Sequence, residues 1–409
     1  METYKIYEKN NKVAIFNTST FEWHRMSKIF FEDHKEEFVT GNKKVEKPES
    51  GIKIVYFAVT NKCNMSCKFC CTQSSPNVDT TGEMAYDDIE KVLIPFLLEI
   101  KPTDIILSGG EPLTRVDIIE ICILIKKWLP DAKIALQTNG LLLTLDLLKE
   151  LKGKVSYMEI SIEDMFLDKK YYQKLSNLFD MIKQVDIPVQ FSYVISGDNM
   201  KYITKAIDVV NKYDGSVLLR YVSPVGNATK SDIKFVYESN IKKLYLEIID
   251  YIVDNKLDNP NVIDIILRPL QSTESCAAYG KMLNISPTGE MYLCSTLCFE
   301  PFILGNIKNI TIDTFKYKLK KVLSNNEVKR TLRVEEMDIC KECDIKHFCS
   351  GICAAKRYNT TDSEILYADC RMKRILVYFW LFDFDGKKSV YDNLLTLRGR
   401  IDEKYDLKK

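Results

Sequence analysis

The chain has 409 residues, with 58 Lys and Arg against 57 Asp and Glu, for a formal net charge of +1. That balance excludes a global field drawing in nucleic acid or a membrane surface, and 46% hydrophobic residues suffice for a barrel-sized core plus a satellite. Thirteen cysteines but only three histidines (His24, His34, His347), a polar opening and no apolar run of membrane-spanning length point to a cytoplasmic chain. In that compartment thiols bind metal or do redox chemistry, and neither a disulfide framework nor an imidazole-rich site is expected.

In chain order, residues 4–6 and 13–16 read as two short strands joined across Asn10-Asn11, a hairpin-type turn. The charged stretch 36–50 reads as a linker or loosely packed segment, so residues 1–50 are assigned to an N-terminal hairpin and linker. Strands then alternate with helices. Strands are predicted over 52–60, 104–108, 133–138, 155–162, 188–195 and 217–222, with helical patterns at 116–128, 145–152, 172–183 and 201–212. Pro95 should kink or split the helix after the first of these strands. This alternation predicts an α/β fold, a parallel sheet curled into a partial (β/α)6 barrel over residues 51–256, with its chemistry on the loops after the strand C-termini. After a helix over 240–255 the texture changes. Residues 276–370 are rich in loops and cysteine pairs with little visible core, so metal would organise this second domain, taken as 257–375. The remainder, 376–409, reads as the end of a buried helix at 374–382 and a frayed, Lys-rich tail.

The first predicted barrel strand runs directly into Cys63, Cys67 and Cys70, in the order Cys-Asn-Met-Ser-Cys-Lys-Phe-Cys. Three thiolates on one short loop hold three irons of a 4Fe–4S cube and leave the fourth iron open to a non-protein ligand. An open iron means chemistry rather than electron storage. Zinc is the bland alternative, but it takes four ligands in a closed tetrahedron; the spare thiol Cys71 adjoins Cys70, and adjacent cysteines seldom reach one ion. The next two strands end in Gly109-Gly110-Glu111-Pro112 and Asn139-Gly140, at the same end of the expected barrel. Cys122 lies on the apolar face of a helical pattern and reads as core; core packing is also the preferred reading of Cys71, with hydrogen-atom donation as its alternative.

Cys63-x3-Cys67-x2-Cys70 followed by Gly-Gly-Glu-Pro resembles the radical S-adenosylmethionine (SAM) superfamily over roughly residues 52–255. The resemblance implies that the open iron is chelated by the amino and carboxylate groups of SAM. An electron from the cluster then breaks the sulfur–C5′ bond, and a 5′-deoxyadenosyl radical takes a hydrogen atom from substrate. Phe69 stands where an aromatic ring lies against adenine. Gly109, Gly110 and Glu111 match the loop that approaches the methionine amino group, its carboxylate accepting the hydrogens. Ser161 matches a SAM-contacting serine, although the usual Ser-x-Asp-Gly here reads Ser161-Ile162-Glu163-Asp164. For the basic partner of the SAM carboxylate the chain offers Lys169, Lys170, Lys174 or Arg220.

The later cysteines read Cys276-x12-Gly289-x4-Cys294, then Cys340-x2-Cys343-x5-Cys349-x3-Cys353, then Cys370. This pattern resembles the SPASM extension of radical SAM enzymes, whose seven cysteines serve two auxiliary 4Fe–4S clusters. By order, the resemblance implies Cys340, Cys343, Cys349 and Cys370 for the outer cluster and Cys276, Cys294 and Cys353 for the inner one. The inner cluster is one thiolate short; either Cys298 completes it or one iron is left open. A zinc ribbon is the alternative for the Cys-x2-Cys pair.

SPASM-bearing relatives mostly modify peptides or proteins, so the resemblance implies maturation of a ribosomally made peptide by a thioether or carbon–carbon crosslink. It also implies an external electron donor such as flavodoxin or ferredoxin. A separate leader-peptide recognition protein is an option, because residues 1–50 are short for that role, though the hairpin offers an edge for strand addition. Formylglycine formation of the anaerobic sulfatase-maturing type is disfavoured because Ser295, not a carboxylate, follows Cys294. Epimerisation is a further option if Cys71 or Cys298 donates a hydrogen atom. A non-catalytic iron–sulfur or zinc protein would need no Gly-Gly-Glu-Pro loop.

Overall fold

The computed structural model describes residues 4–40 and 51–405. The N-terminal hairpin forms as expected: β1 (Tyr4–Lys9) pairs with β2 (Lys12–Asn17), Lys9 opposite Lys12, which leaves Asn10-Asn11 as a two-residue turn with Asn10 at φ 54°. A third strand, β3 (Trp23–Ser27), adds to β2, and a helix (Lys28–Thr40) follows. Residues 36–40, expected in a linker, are therefore the last turns of a helix. Phe31 is its deeply buried anchor, against Val13 and Ile15, while Ile29 and Phe30 stay exposed, so the apolar pattern was too sparse to announce it. The rest of that expected linker, 41–50, lies outside the described residues. On its other face this small sheet buries Tyr7, Ala14 and Phe16 against Ile345, Val377 and Leu381.

The main sheet has nine strands in the order β12-β11-β10-β4-β5-β6-β7-β8-β9. Strands β4 (Ile54–Thr60), β5 (Asp104–Gly109), β6 (Lys133–Thr138), β7 (Tyr157–Ser161), β8 (Val189–Ile195) and β9 (Ser216–Tyr221) are consecutive parallel neighbours. Helices Ile118–Trp128, Leu145–Leu151, Lys169–Val185 and Ile203–Tyr213 connect them. The α/β reading holds, with a mostly parallel sheet. Pro95 has the predicted effect in a specific form: the helix after β4 opens into a π segment at Ile89–Leu93 and resumes as Ile94–Ile100, with Pro95 in the first turn of the resumed piece.

Two expectations fail beyond the barrel. Residues 276–370 carry more regular structure than the sequence suggested. β10 (Met282–Ile285) pairs parallel to β4, and β11 (Glu290–Tyr292) and β12 (Ile303–Asn306) follow antiparallel, so the main sheet continues across residue 257. Strands of three or four residues are too short to show a period-2 pattern. The tail is not frayed through residue 405 either: helix Val390–Tyr405 buries Leu394, Leu397, Ile401 and Tyr405 in the main core, and Arg398 clasps Asp250 at 2.6 Å. Cys122 is fully buried in that core, as expected. Among the described residues no helix is long and apolar enough to cross a membrane.

Candidate active site

Parallel strands end on one side, and their loops meet there around an open cavity of about 860 Å³, a size suited to a substrate chamber. Cys63, Cys67, Phe69, Cys70, Gly109, Gly110, Glu111, Ser161 and Arg220 all line it. The residues expected around the first cluster and SAM are thus brought together from β4, β5, β7 and β9.

The cysteine loop is held from both sides by backbone. Gly110 N–H donates to Thr60 O at 2.8 Å and Glu111 N–H to Lys62 O at 2.8 Å, an approach so close that a Cβ on Gly110 would stand 2.3 Å from Lys62 O. Across the loop, Asn227 donates its backbone N–H to Cys70 O at 2.9 Å and its side-chain amide to Cys67 O at 3.0 Å. Gly226, at φ 57°, lets this turn press against Cys70 O. Sequence reasoning did not single out Gly226 or Asn227; the signal was the turn-rich Ser-Pro-Val-Gly-Asn run after the sixth strand.

Glu111 is 1% exposed, and its carboxylate accepts from Leu113 N–H (3.1 Å), Thr138 Oγ1 (2.7 Å) and Asn139 N–H (2.8 Å). It ties its own loop after β5 to the end of β6 through three bonds, which leaves about one of its four acceptor positions for anything else. The resemblance-based expectation that this carboxylate takes amino hydrogens therefore narrows to that remaining position. Two further acids were missed. Glu163 is buried, and desolvation, then the neighbouring Asp164, pushes its carboxyl up to about 8. The Cys67 thiol donates to Asp164 Oδ2 at 3.8 Å. Their signal was the altered Ser-Ile-Glu-Asp sequence.

Of the four basic candidates only Arg220 lines the cavity; Lys169, Lys170 and Lys174 are exposed on the helix after β7. Arg220 Nη1 donates to Glu159 Oε1 at 2.8 Å and to Ser192 Oγ at 2.6 Å. Cys71 is not core: it is open to the cavity, because it directly follows Cys70 at the mouth of the barrel, yet enough chain surrounds its sulfur that desolvation pushes the thiol up to about 11.

Another part of the lining comes from the loop after β11, through Ser295, Thr296, Cys298 and Phe299. Behind it, the thiols fall into sets that feel one another's charge. Cys63, Cys67 and Cys70 form one set, Cys276, Cys294 and Cys353 another, and Cys340, Cys343, Cys349 and Cys370 a third. Of the second set Cys298 faces only Cys294, together with Cys71, and its Sγ lies 3.3 Å from Ser295 O. All thirteen cysteines are free. Desolvation pushes Cys276 up to about 11 and Cys370 up to about 12, so ionised thiols there require cationic charge that metal would bring. Among the described residues no three His, Cys, Asp or Glu side chains close around a single ion, whereas a cube spreads its thiolates over separate corners.

Residues 57–210 match the family model described as the Radical SAM superfamily. The chain is 25% identical to the AdoMet-dependent heme synthase of Methanosarcina barkeri, over 76% of this chain and 93% of that one. It is 24% identical to the radical SAM cyclopropyl synthase TigE of Paramaledivibacter caminithermalis, over 82% and 75%. Streptococcus suis SuiB bound to S-adenosylmethionine superposes with a TM-score of 0.58 at 15% identity, covering 89% of this chain and 97% of that one, a shared fold. With the cysteine loop, the glycine loop and the cavity arranged as described, the chain carries a radical SAM domain over residues 57–210 and is a radical SAM enzyme.

Proposed function

We propose that this enzyme binds SAM at a 4Fe–4S cluster on Cys63, Cys67 and Cys70, carries two auxiliary clusters on the later cysteine sets, and modifies a peptide. When bound, SAM at its reduced cluster supplies a carbon radical that removes a hydrogen atom from substrate. One observation carries the reading: a single cavity is lined both by the SAM-type loops and by Ser295, Thr296, Cys298 and Phe299, which closely follow the auxiliary cysteine Cys294. A substrate in that chamber would lie between the two. Phe69 and Ser161 would contact SAM, and Arg220, with one nitrogen held by Glu159 and Ser192, would direct the rest of its fork at a carboxylate. Peptide as the substrate class is supported by fold relatives solved with peptides, SuiB with its precursor SuiA and anSMEcpe with Cp18Cys. The leading product is a thioether or carbon–carbon crosslink, with an external flavodoxin or ferredoxin as electron source.

A second reading, epimerisation, is favoured by Cys71 and Cys298 both opening into the cavity. Formylglycine formation is disfavoured, since Ser295 lines the cavity where a carboxylate base would be needed. The test is anaerobic incubation with SAM, dithionite and a cysteine-containing candidate peptide in D2O. Formation of 5′-deoxyadenosine with a peptide lighter by about two mass units supports crosslinking. Solvent deuterium incorporated without any crosslink supports epimerisation. No 5′-deoxyadenosine from iron-loaded protein overturns both.

A further inference from the structure

Arg357 sits on the short helix Ala354–Asn359 that begins at the auxiliary residue Cys353. Its Nη1 donates to Arg330 O at 3.2 Å and its Nη2 to Thr331 O. Those carbonyls belong to the last turn of helix Asn326–Leu332, where acceptors lack helical partners, and the adjacent Leu332 O accepts from Cys276 N–H at 3.2 Å. Arg357 and Cys276 are thus fixed by the same helix end. The guanidinium feels the charge of Cys353 and Cys276 from the inner set and of Cys340 from the outer one.

Two things about it are unusual. Its Nε is a buried donor with no acceptor. Lys373 is paired with Asp369 at 2.8 Å and Arg374 with Asp344 at 3.1 Å, but among the described residues Arg357, like the neighbouring Lys356, has no ion pair. A half-buried cation held only by backbone carbonyls, with one donor left over, is costly unless an anion completes it. Anionic clusters on the neighbouring thiolates would complete it.

We infer that Arg357 is a positioning residue shared by the two auxiliary cysteine sets: its Nε–H donates to a cluster sulfur, and its charge stabilises the reduced state of the clusters it adjoins. Hydrogen bonds to sulfur and added positive charge both raise a cluster's reduction potential. The inference rests on the proposed auxiliary clusters, and the experiment separates the two.

The oxygen-free, cluster-loaded protein carrying Cys63→Ala, Cys67→Ala and Cys70→Ala should retain about eight irons for two cubes. A protein retaining none sinks the auxiliary-cluster reading, and this inference with it. Potentiometric EPR titration of that protein is then compared with versions also carrying Arg357→Met or Arg357→Lys. With full iron, Arg357→Met should lower the ratio of reduced to oxidised cluster at fixed potential at least tenfold, about 59 mV for a one-electron couple. Arg357→Lys, which keeps charge but loses Nε, should fall between. Unchanged titration with full iron in Arg357→Met overturns the inference. If Arg357→Met sheds auxiliary iron, Arg357→Lys decides alone: a lowered potential supports the inference and an unchanged one overturns it.

Discussion

The barrel's cysteine loop and the outer auxiliary cysteine set rest on different foundations. The cysteine loop with Cys63, Cys67 and Cys70 follows a strand whose Val55, Phe57 and Val59 are fully buried in the main core, and backbone clamps hold it on both flanks. The outer auxiliary set is framed by small clusters: Val334, Met337, Cys340 and Ile352 form one, with Leu366, Tyr367 and Cys370 packed against it. A barrel with its own core keeps its loops near their working shape without metal. A cysteine-framed knot with so little apolar burial gains much of its order from what its thiols bind. Chemistry and stability should therefore come apart differently in these two regions.

The largest expected effect lies at the barrel wall. Changing Cys63, Cys67 and Cys70 together to alanine should abolish 5′-deoxyadenosine formation while altering the thermal stability of the barrel by less than about 1 kcal/mol, because these side chains line a cavity rather than a core. Product formation and differential scanning calorimetry measure the two. A collapsed barrel would contradict the comparison. The opposite outcome is expected at the outer auxiliary set. Cys340→Ala, or removal of iron by chelation, should raise the rate of proteolytic cleavage within residues 334–370 by about tenfold or more, with strands β4–β9 still protected from hydrogen exchange.

How far the sequence announced these structures follows the same division. In the barrel, six strands and their intervening helices are long and strongly patterned, and their ends bring Gly109, Gly110, Glu111 and Ser161 to one cavity. What the motifs did not convey was distribution of bonds. Glu111 spends its carboxylate on Leu113, Thr138 and Asn139, and Gly226 and Asn227 hold the cysteine loop from a strand far away in sequence. Such contacts carry no local period. Beyond residue 257 the cysteine spacing was legible, but three-residue strands and a helix anchored by Leu394, Leu397 and Ile401 were not recognised, the latter hidden among lysines and arginines. Cys71 was misread because a thiol next to a ligand looks alike in sequence whether it turns inward or toward a cavity.

Smaller effects test the backbone clamps. Gly226→Ala places a side chain in the left-handed region, costing about 1–2 kcal/mol, and its Cβ would meet Cys70 O at 2.3 Å. The loop must shift to relieve that contact, so SAM affinity by isothermal titration should fall about tenfold or more while the iron content holds. Glu111→Gln can still accept from Leu113 and Thr138 but would turn an amide N–H toward the Asn139 N–H donor. A buried donor facing a donor costs about 1–3 kcal/mol, readable as a lowered denaturation midpoint. Insensitivity of both variants would mean the loop holds its own shape.

The smallest expected effect decides the membership of the inner set. Cys298 feels Cys294 and Cys71 but neither Cys276 nor Cys353, and its sulfur lies back against the carbonyls of Cys294 and Ser295, as a side chain does one turn along a local coil. To ligate an iron held by Cys276 and Cys353 it would have to leave the cavity wall. Cys298→Ala should therefore leave iron per chain and the auxiliary EPR signals unchanged, whereas Cys294→Ala should remove the inner cluster. A loss of about four irons in Cys298→Ala would instead make it the fourth ligand, closing the iron that this arrangement leaves free to take a substrate thiolate. If the irons stay, solvent deuterium incorporation that falls in both Cys71→Ala and Cys298→Ala would show that these two thiols face substrate rather than metal.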